Sequence, residues 1–160
     1  MAILCPSQIK RISKVLRKTE IKIKRLREPP MRILVVDDEV VSRKKMMKSV
    51  SELGSCEGVQ NGNAALSAVR TALEDWKLYD LITLDISMPD ISGTEVLSQI
   101  RELEAERGLD DDERATILMV TSHSDIDTVK ACVGKCDGYV IKPFNRDMIM
   151  DKLKKTGMLR

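Results

Sequence analysis

Four short apolar runs in this chain each lead directly into polar residues. The runs cover residues 33–36, 81–84, 117–120 and 139–141, and they lead into Asp37-Asp38, Asp85, Thr121 and Lys142. Uninterrupted apolar runs of this length are typical of parallel strands covered on both faces, because such strands need no alternation with polar residues. We therefore predict four buried parallel strands.

Helical patterns alternate with these strands. Gly54 is expected to stop the first helix, and a short polar strand near residues 55–60 suits a sheet edge. The inward faces of the predicted helices are Met46, Val50 and Leu53; Ala65, Ala68, Val69 and Ala72; Val96, Ile100 and Leu103; Ile126, Val129 and Val133; and Met148, Ile149 and Leu153. The charged segment 102–114 is expected to extend the third helix into a solvated loop around Gly108. Five βα units predict an α/β fold with a parallel sheet and right-handed crossovers.

The polar residues at the strand ends form one chemical group. The carboxyl ends of parallel strands lie on one edge of the sheet, which is where open α/β folds bind ligands. Carboxylates at Asp37, Asp38 and Asp85 repel one another unless a cation joins them, and hard oxygen ligands suit Mg²⁺. A lysine and a hydroxyl beside such a metal suit phosphoryl chemistry. Asp85 stands alone at the central strand end, so it is the better nucleophile.

The order of these motifs resembles the receiver domain of two-component response regulators. The resemblance covers about residues 31–158, and it rests on Asp37-Asp38-Glu39, Asp-Ile-Ser-Met-Pro-Asp at 85–90, Gly93, Thr121 and Lys142-Pro143-Phe144. It implies a flavodoxin-like (βα)5 fold, with a doubly wound sheet of five parallel strands in the order 2-1-3-4-5. It also implies a receiver domain at residues 31–160, preceded by an extension at residues 1–30.

The resemblance implies a role for each matching residue of the metal and acceptor site. Asp85 resembles the phosphoacceptor, which takes a phosphoryl group from a histidine kinase or a phosphotransfer protein. Asp38 resembles the direct Mg²⁺ ligand, and Asp37 resembles the carboxylate that helps to hold the metal, often through water. The backbone carbonyl of Ser87 would be a further metal ligand.

The resemblance also implies a switch. Thr121 resembles the hydroxyl that turns towards a phosphoryl oxygen, and Lys142 resembles the lysine that contacts the phosphoryl group. Tyr139 occupies the switch-aromatic position, and the bond from Lys142 to Pro143 is cis in the family. Ser87 and His123 occupy two positions that tune dephosphorylation in the family. We hypothesise that His123 affects the phosphoryl lifetime; the alternative is a solvent-exposed loop histidine.

Charge divides the chain into two unlike parts. Residues 1–30 hold nine Lys or Arg and two Glu, a balance of +7, whereas residues 31–160 hold eighteen basic and twenty-three acidic residues, a balance of −5. Pro29-Pro30 marks the junction. The four cysteines lack disulfide or zinc spacing and are interpreted as reduced packing residues. The chain has neither a membrane-length apolar run nor a signal-peptide pattern, which favours a cytoplasmic protein.

The basic extension at residues 1–30 is expected to be either helical or disordered. Ile9, Leu16 and Ile23 recur every seven residues, and Ile12, Thr19 and Leu26 follow the same period. This stripe covers under three heptads, short of a confident coiled coil. It suits a membrane-surface helix, a partner-binding helix, a homodimer contact or a nucleic-acid arm, or it is a mobile tail.

Taken together, the sequence favours a phosphoacceptor signalling protein rather than an enzyme, with intrinsic self-phosphorylation and self-dephosphorylation. Eighteen residues follow Lys142 and no DNA-binding domain is expected, so we expect a single-domain response regulator whose output is a protein–protein surface switched by phosphorylation. The alternatives are a phosphorelay intermediate and a phosphate-independent interaction module. A phosphatase of the haloacid-dehalogenase type would need an acid where Ser87 stands.

Overall fold

A computed structural model describes residues 5–26, 30–122 and 126–159 of the chain. Its helices and strands in chain order are α1 Pro6–Leu26, β1 Met31–Val36, α2 Val40–Val50, β2 Gly54–Val59, α3 Gly62–Glu74, β3 Leu81–Asp85, α4 Gly93–Glu106, β4 Thr116–Thr121, α5 Ile126–Ala131, β5 Gly138–Ile141 and α6 Arg146–Lys155. From β1 onward, strands and helices alternate as the apolar pattern predicts.

The chain divides into two compact units, Met1–Pro30 and Met31–Arg160. The first unit contains the 21-residue helix α1, whose large apolar side chains Ile9, Ile12, Val15 and Leu16 are exposed. Within the described part of the chain, none of the helices combines the length and the apolar character that crossing a bilayer requires.

The second unit is built on one sheet of five parallel strands in the order β2-β1-β3-β4-β5. This confirms the predicted doubly wound α/β fold and its strand order. Val36 pairs with Leu84, and Asp85 pairs with Val120. The residues that follow β1 and those that end β3 and β4 are therefore level with one another at the same edge of the sheet.

Each face of the sheet is covered by its own apolar core. In β1, Leu34 and Val36 pack into one core with α3 and α4, whereas Ile33 and Val35 pack into the other with α2 and α6. Successive side chains of a strand point to opposite faces, so a strand covered on both faces is apolar at every position. This two-sided burial explains the uninterrupted apolar run of β1.

The edge strand β5 is less buried than the sequence predicted. Tyr139 is 40% exposed, although Val140 beside it is buried. β5 is the outermost strand of the sheet, so less of the fold surrounds it than surrounds β1, β3 and β4. The prediction of a fully buried strand is therefore wrong for β5.

Three of the predicted inward helix faces differ in one residue each from the faces that the structure buries. Leu53 lies in the turn after α2, although it still packs against the core. Val133 lies beyond α5 and is 77% exposed, because the chain turns at Gly134, whose φ is +93°. On α6, Ile149 and Leu153 are buried four residues apart, whereas Met148 points to a different side of the helix and is 42% exposed.

The charged segment 102–114, which spans the end of α4 and the loop after it, is only partly solvated, contrary to the prediction. Glu104 is 3% exposed: one oxygen accepts a hydrogen bond from Arg101 at 2.7 Å, and the other accepts one from the backbone N–H of Ala115 at 2.9 Å. Glu113 is also buried and accepts a hydrogen bond from the backbone N–H of Asp110 at 2.8 Å. These partners allow two carboxylates to lie inside the fold.

The four cysteines are free thiols. Cys132 is buried, Cys56 and Cys136 are half-buried, and Cys5 is exposed, so the packing interpretation holds for three of them.

Candidate phosphoacceptor and metal site

The carboxyl ends of β1 and β3 bring three carboxylates together. One oxygen of each of Asp37, Asp38 and Asp85 lies within 4.8 Å of the other two. Asp37 and Asp85 are 3% and 5% exposed, whereas Asp38 lies at the surface. The cluster therefore has two buried members and one member that faces solvent, where an ion could enter.

Lys142 bridges the two buried carboxylates. Its ammonium donates hydrogen bonds to Asp37 Oδ2 at 3.0 Å and to Asp85 Oδ2 at 3.1 Å. The backbone N–H of Lys142 donates to the carbonyl of Thr121 at 2.7 Å, which ties the end of β5 to the end of β4. The peptide bond between Lys142 and Pro143 is cis.

The donor set fits a divalent cation. Three ionised carboxylates and one ammonium leave an excess of two negative charges, which is the charge that one divalent ion neutralises. The donors are carboxylate oxygens, and hard oxygen ligands are the ones that Mg²⁺ and Ca²⁺ prefer. The predicted metal ligands Asp37, Asp38 and Asp85 are therefore grouped as a metal site requires.

Residues at the start of α2 fix the orientation of Asp37. Its Oδ1 accepts a hydrogen bond from the backbone N–H of Glu39 at 2.9 Å, and its Oδ2 accepts one from the Ser42 hydroxyl at 2.5 Å. Arg43 donates to the backbone carbonyl of Asp37 at 2.6 Å. Sequence reasoning missed Ser42 and Arg43. The sequence feature that could have identified them is the presence of two polar residues on the first turn of a helix that starts beside the acidic pair.

The backbone packs tightly around Asp85. The backbone N–H of Ser87 donates to Asp85 Oδ1 at 3.3 Å, which places Ser87 directly beside the acceptor carboxylate. Gly93, the first residue of α4, lies against the same residue: a Cβ atom at Gly93 would be 2.1 Å from the carbonyl oxygen of Asp85. Gly93 is one of the residues that carry the family resemblance. The close approach of the two backbones explains why position 93 needs a glycine.

The hydroxyl of Thr121 and the ring of Tyr139, the two predicted switch residues, have partners outside the acidic cluster. Thr121 is fully buried, and its hydroxyl donates to the carbonyl of Ser122 at 2.9 Å. Tyr139 lies on the outer strand β5, where the Lys152 ammonium is 4.8 Å from the centre of its ring. His123 lies outside the described residues.

Burial and charge shift the protonation equilibria of the site in known directions. Burial raises the pKa of Asp85, and the nearby Asp37 carboxylate raises it further, while Lys142 partly offsets both effects. Burial by itself would lower the pKa of Lys142, but its hydrogen bonds and charge interactions with Asp37 and Asp85 outweigh burial and raise that pKa. Lys142 therefore stays charged and acts as the resident counter-ion of the two buried carboxylates.

The fold and the site agree with a comparison to known families. Residues 33–154 match the family model described as the response regulator receiver domain. The chain therefore belongs to the response regulator receiver domain family of two-component signalling.

Individual relatives agree with this assignment. The chain is 33% identical over 129 residues to hybrid signal transduction histidine kinase L of Dictyostelium discoideum, which covers 79% of this chain and 7% of that protein. It is 29% identical over 128 residues to the chemotaxis protein CheY of Listeria monocytogenes, covering 79% of this chain and 98% of that protein. The chain thus spans a small part of the hybrid kinase and nearly the whole of the chemotaxis protein. It spans 45 to 47% of several regulatory proteins that it also matches.

A solved structure extends the similarity to the fold. The receiver domain of the histidine kinase CKI1 from Arabidopsis thaliana, complexed with Mg²⁺ and BeF3⁻, superposes with a TM-score of 0.62 at 27% sequence identity. The similarity covers 79% of this chain and 91% of that domain.

Proposed function

We propose that this chain acts as a response regulator that accepts a phosphoryl group on Asp85. The donor is a histidine kinase or a phosphotransfer protein. The observation that carries the proposal is the position of Lys142, whose ammonium lies 3.0 and 3.1 Å from carboxylate oxygens of Asp37 and Asp85, next to the third carboxylate of Asp38. Three acids and a charged lysine at one sheet edge suit the transfer of an anionic group.

We assign the metal of this site as Mg²⁺. The carboxylates of Asp37, Asp38 and Asp85 and the backbone carbonyl of Ser87 would hold it, because all are hard oxygen donors. When bound, Mg²⁺ supplies positive charge that lowers the repulsion between the phosphoryl oxygens and the carboxylates. Ser42 and Glu39 keep the Asp37 carboxylate oriented for this role through their hydrogen bonds.

In the proposed reaction, a carboxylate oxygen of Asp85 attacks the phosphorus of a phosphohistidine in line with the bond that breaks. The new bond joins the Asp85 oxygen to phosphorus, and the electron pair of the broken P–N bond returns to the imidazole nitrogen of the donor. Lys142 already contacts Asp85 Oδ2, so its ammonium is within reach of a phosphoryl oxygen that arrives there. Small phosphodonors replace phosphohistidine in self-phosphorylation. In self-dephosphorylation a water oxygen attacks the phosphorus, the bond between phosphorus and the Asp85 oxygen breaks, and inorganic phosphate leaves the regenerated carboxylate.

We propose that phosphorylation is transmitted through Thr121 and Tyr139. The phosphoryl group adds roughly −1.5 to −2 charges and three acceptor oxygens, which favours a conformer in which Thr121 turns from the Ser122 carbonyl to the phosphoryl group. Tyr139 is exposed on β5 and can move into the space that Thr121 leaves. The changed surface of α5, β5 and α6 would then bind a downstream protein.

There are two alternative functions, and only the first of them uses the same acceptor chemistry. A phosphorelay intermediate would pass the phosphoryl group from Asp85 to a second histidine. A phosphate-independent interaction module would not need the acidic cluster, and the grouping of Asp37, Asp38, Asp85 and Lys142 favours an acceptor over such a module.

We also propose that residues 31–160 form the receiver domain and that residues 1–30 are a basic extension. The exposed apolar residues Ile9, Ile12, Val15 and Leu16 of α1 suit contact with a partner or with a second copy of the chain. Light scattering of the full chain and of a chain without residues 1–30 tests the second possibility. An unchanged oligomeric state contradicts a homodimer through α1.

Phosphoryl incorporation tests the proposed function. We expect the full chain to gain the mass of one phosphoryl group when it is incubated with phosphoramidate and Mg²⁺, and to gain none when EDTA replaces Mg²⁺. Asp85→Asn is the matched control, since it keeps the shape of the side chain but removes the nucleophile, and we expect it to gain no mass. Incorporation into Asp85→Asn equal to that of the wild type would contradict the assignment.

A further inference from the structure

The loop from Ile86 to Ser92 follows the proposed phosphoacceptor and carries the Ser87 carbonyl. Backbone contacts hold its two ends together: the N–H of Gly93 donates to the carbonyl of Ile86 at 2.8 Å, and Gly93 leaves no room for a side chain beside Asp85. These contacts fix where the loop begins and ends. The N–H of Ser87 also donates to Asp85 Oδ1 at 3.3 Å, so the middle of the loop is the segment of residues 88–91.

Asp90 connects the middle of this loop to the start of α3. Its Oδ1 accepts a hydrogen bond from the backbone N–H of Gly62 at 3.1 Å. Its Oδ2 accepts hydrogen bonds from the backbone N–H of Asn63 at 2.9 Å and from the side-chain amide of Asn63 at 3.0 Å. Gly62 and Asn63 belong to the first turn of a helix, where backbone N–H groups have no acceptor within the helix. An aspartate suits these donors because its charge also interacts favourably with the helix dipole.

An apolar contact holds the same part of the loop. A Cβ atom at Gly62 would lie 2.5 Å from Cγ1 of Ile91 and 2.6 Å from Cγ2 of Val96, so both side chains pack directly on the backbone of Gly62. The polar contact of Asp90 and the apolar contact of Ile91 therefore meet the same turn of α3. Together they seat residues 90 and 91 on a rigid element of the fold.

We propose that Asp90 is a positioning residue for the metal site. By fixing residues 88–91 against α3, it holds the Ser87 carbonyl beside Asp85 before a cation binds. A ligand that is held in place before binding costs less conformational entropy when the ion arrives, so the affinity for the ion increases. This inference rests on the proposed function, because it takes the Ser87 carbonyl as a ligand of Mg²⁺.

Asn61 provides a matched control, because its side chain caps the same helix at Ala64, a residue of α3 itself. Its side chain accepts a hydrogen bond from the backbone N–H of Ala64 at 2.8 Å. Asn61→Ala and Asp90→Ala both remove an acceptor from the first turn of α3, so both are expected to destabilise that helix. Only Asp90→Ala also releases the loop that carries Ser87.

Calorimetric titration with Mg²⁺ alone, on the full chain in wild-type and variant forms, tests the proposal. We expect Asp90→Ala to weaken Mg²⁺ binding roughly ten-fold, the size of effect found when groups that orient metal ligands are removed. Asp90→Asn keeps one acceptor oxygen and is expected to lie between Asp90→Ala and the wild type. Asn61→Ala should bind Mg²⁺ as tightly as the wild type does.

The kinetics of phosphorylation by phosphoramidate provide a second readout. In Asp90→Ala, the Mg²⁺ concentration for half-maximal rate should rise by the same factor as the dissociation constant, while the rate at saturating Mg²⁺ stays close to the wild-type rate. Equal Mg²⁺ affinity in wild type and Asp90→Ala overturns the proposal, and so does an equal loss in Asn61→Ala. A wild-type chain that binds no Mg²⁺ overturns the proposed function as well, so the two failures are distinguishable.

Discussion

At the scale of single residues, Lys142 joins the two buried carboxylates of the acidic site. It reaches from the end of β5 to carboxylates at the ends of β1 and β3, so three strands contribute to one cluster of charges. Buried charges are tolerated when they are paired and hydrogen-bonded, and the pairing here explains why Asp37 and Asp85 can both lie inside the fold.

Glycine substitutions test how closely the backbone packs against Asp85. Gly93→Ala places a Cβ atom 2.1 Å from the carbonyl oxygen of Asp85, so we expect a loss of about 3 kcal/mol in the free energy of unfolding. Gly108→Ala is the control, because Gly108 has open space around it and a φ of +75°, and it should cost about 1 kcal/mol. Urea denaturation measures both. Equal losses in the two variants would mean that the close contact between Gly93 and Asp85 does not limit the size of the side chain at position 93.

The pH dependence of stability provides a test at Tyr79, whose hydroxyl donates to Glu57 on β2. Burial, and then the hydrogen bond to Glu57, raise the pKa of Tyr79 above its ordinary value of 10.0. Because the folded state holds this proton more tightly than the unfolded state, the contribution is fully present below pH 10 and is lost as the pH rises through the raised pKa. Urea denaturation should therefore show a steeper loss of stability above pH 10 in the wild type than in Tyr79→Phe. Parallel pH profiles would contradict the shift.

Sequence reasoning found the charged residues of the site but not those that orient them. Asp37, Asp38, Asp85 and Lys142 stand at predicted strand ends, and parallel pairing then brings them to one edge. The contact of Asp90 with residues 62–63 joins segments that are 27 and 28 residues apart in the chain. Such a contact depends on how α3 packs against the loop, and neither periodicity nor charge pattern encodes that packing.

At the scale of elements, the two faces of α6 test the corrected helix orientation. Ile149 is fully buried, so Ile149→Ala should lower the free energy of unfolding by about 2 to 5 kcal/mol. Met148 is 42% exposed, and Met148→Ala should change the free energy of unfolding by less than about 0.5 kcal/mol. Urea denaturation of both variants distinguishes the faces. A larger loss from Met148→Ala would support the inward face that the sequence predicted.

The elements themselves were easier to predict than their ends. The apolar runs of β1, β3 and β4 identify the buried strands because each is covered by one core on either face. The ends of α2 and α5 were predicted too late, since Leu53 and Val133 continue the helical spacing although the chain has already turned. The burial of Glu104 was not predictable from its charged surroundings, because it depends on Arg101 and on the backbone of Ala115.

At the scale of the whole molecule, metal binding should stabilise the fold. An ion that binds the native state and not the unfolded state adds about 2.7 kcal/mol when its concentration is one hundred times its dissociation constant. We expect Mg²⁺ to raise the urea midpoint of the wild type by a corresponding amount. In Asp38→Ala, which removes the surface member of the acidic cluster, most of this gain should disappear. A midpoint that Mg²⁺ leaves unchanged in the wild type would contradict a metal site.

The whole fold followed from the alternation of strands and helices together with the family resemblance. Alternation alone predicts a parallel sheet, whereas the order β2-β1-β3-β4-β5 came from the resemblance and is confirmed by the strand pairing. The functional division at residue 30 follows from charge and from Pro29-Pro30, and it stays a prediction.

The central claim is that Asp85 receives the phosphoryl group. Its most direct test is to phosphorylate the chain with phosphoramidate and Mg²⁺, reduce the acyl phosphate with borohydride and locate the converted residue by peptide mass spectrometry. We predict conversion of Asp85 alone, with Asp37 and Asp38 unchanged. Conversion of Asp37 or Asp38 in place of Asp85, or a phosphoryl group on His123, would contradict the account.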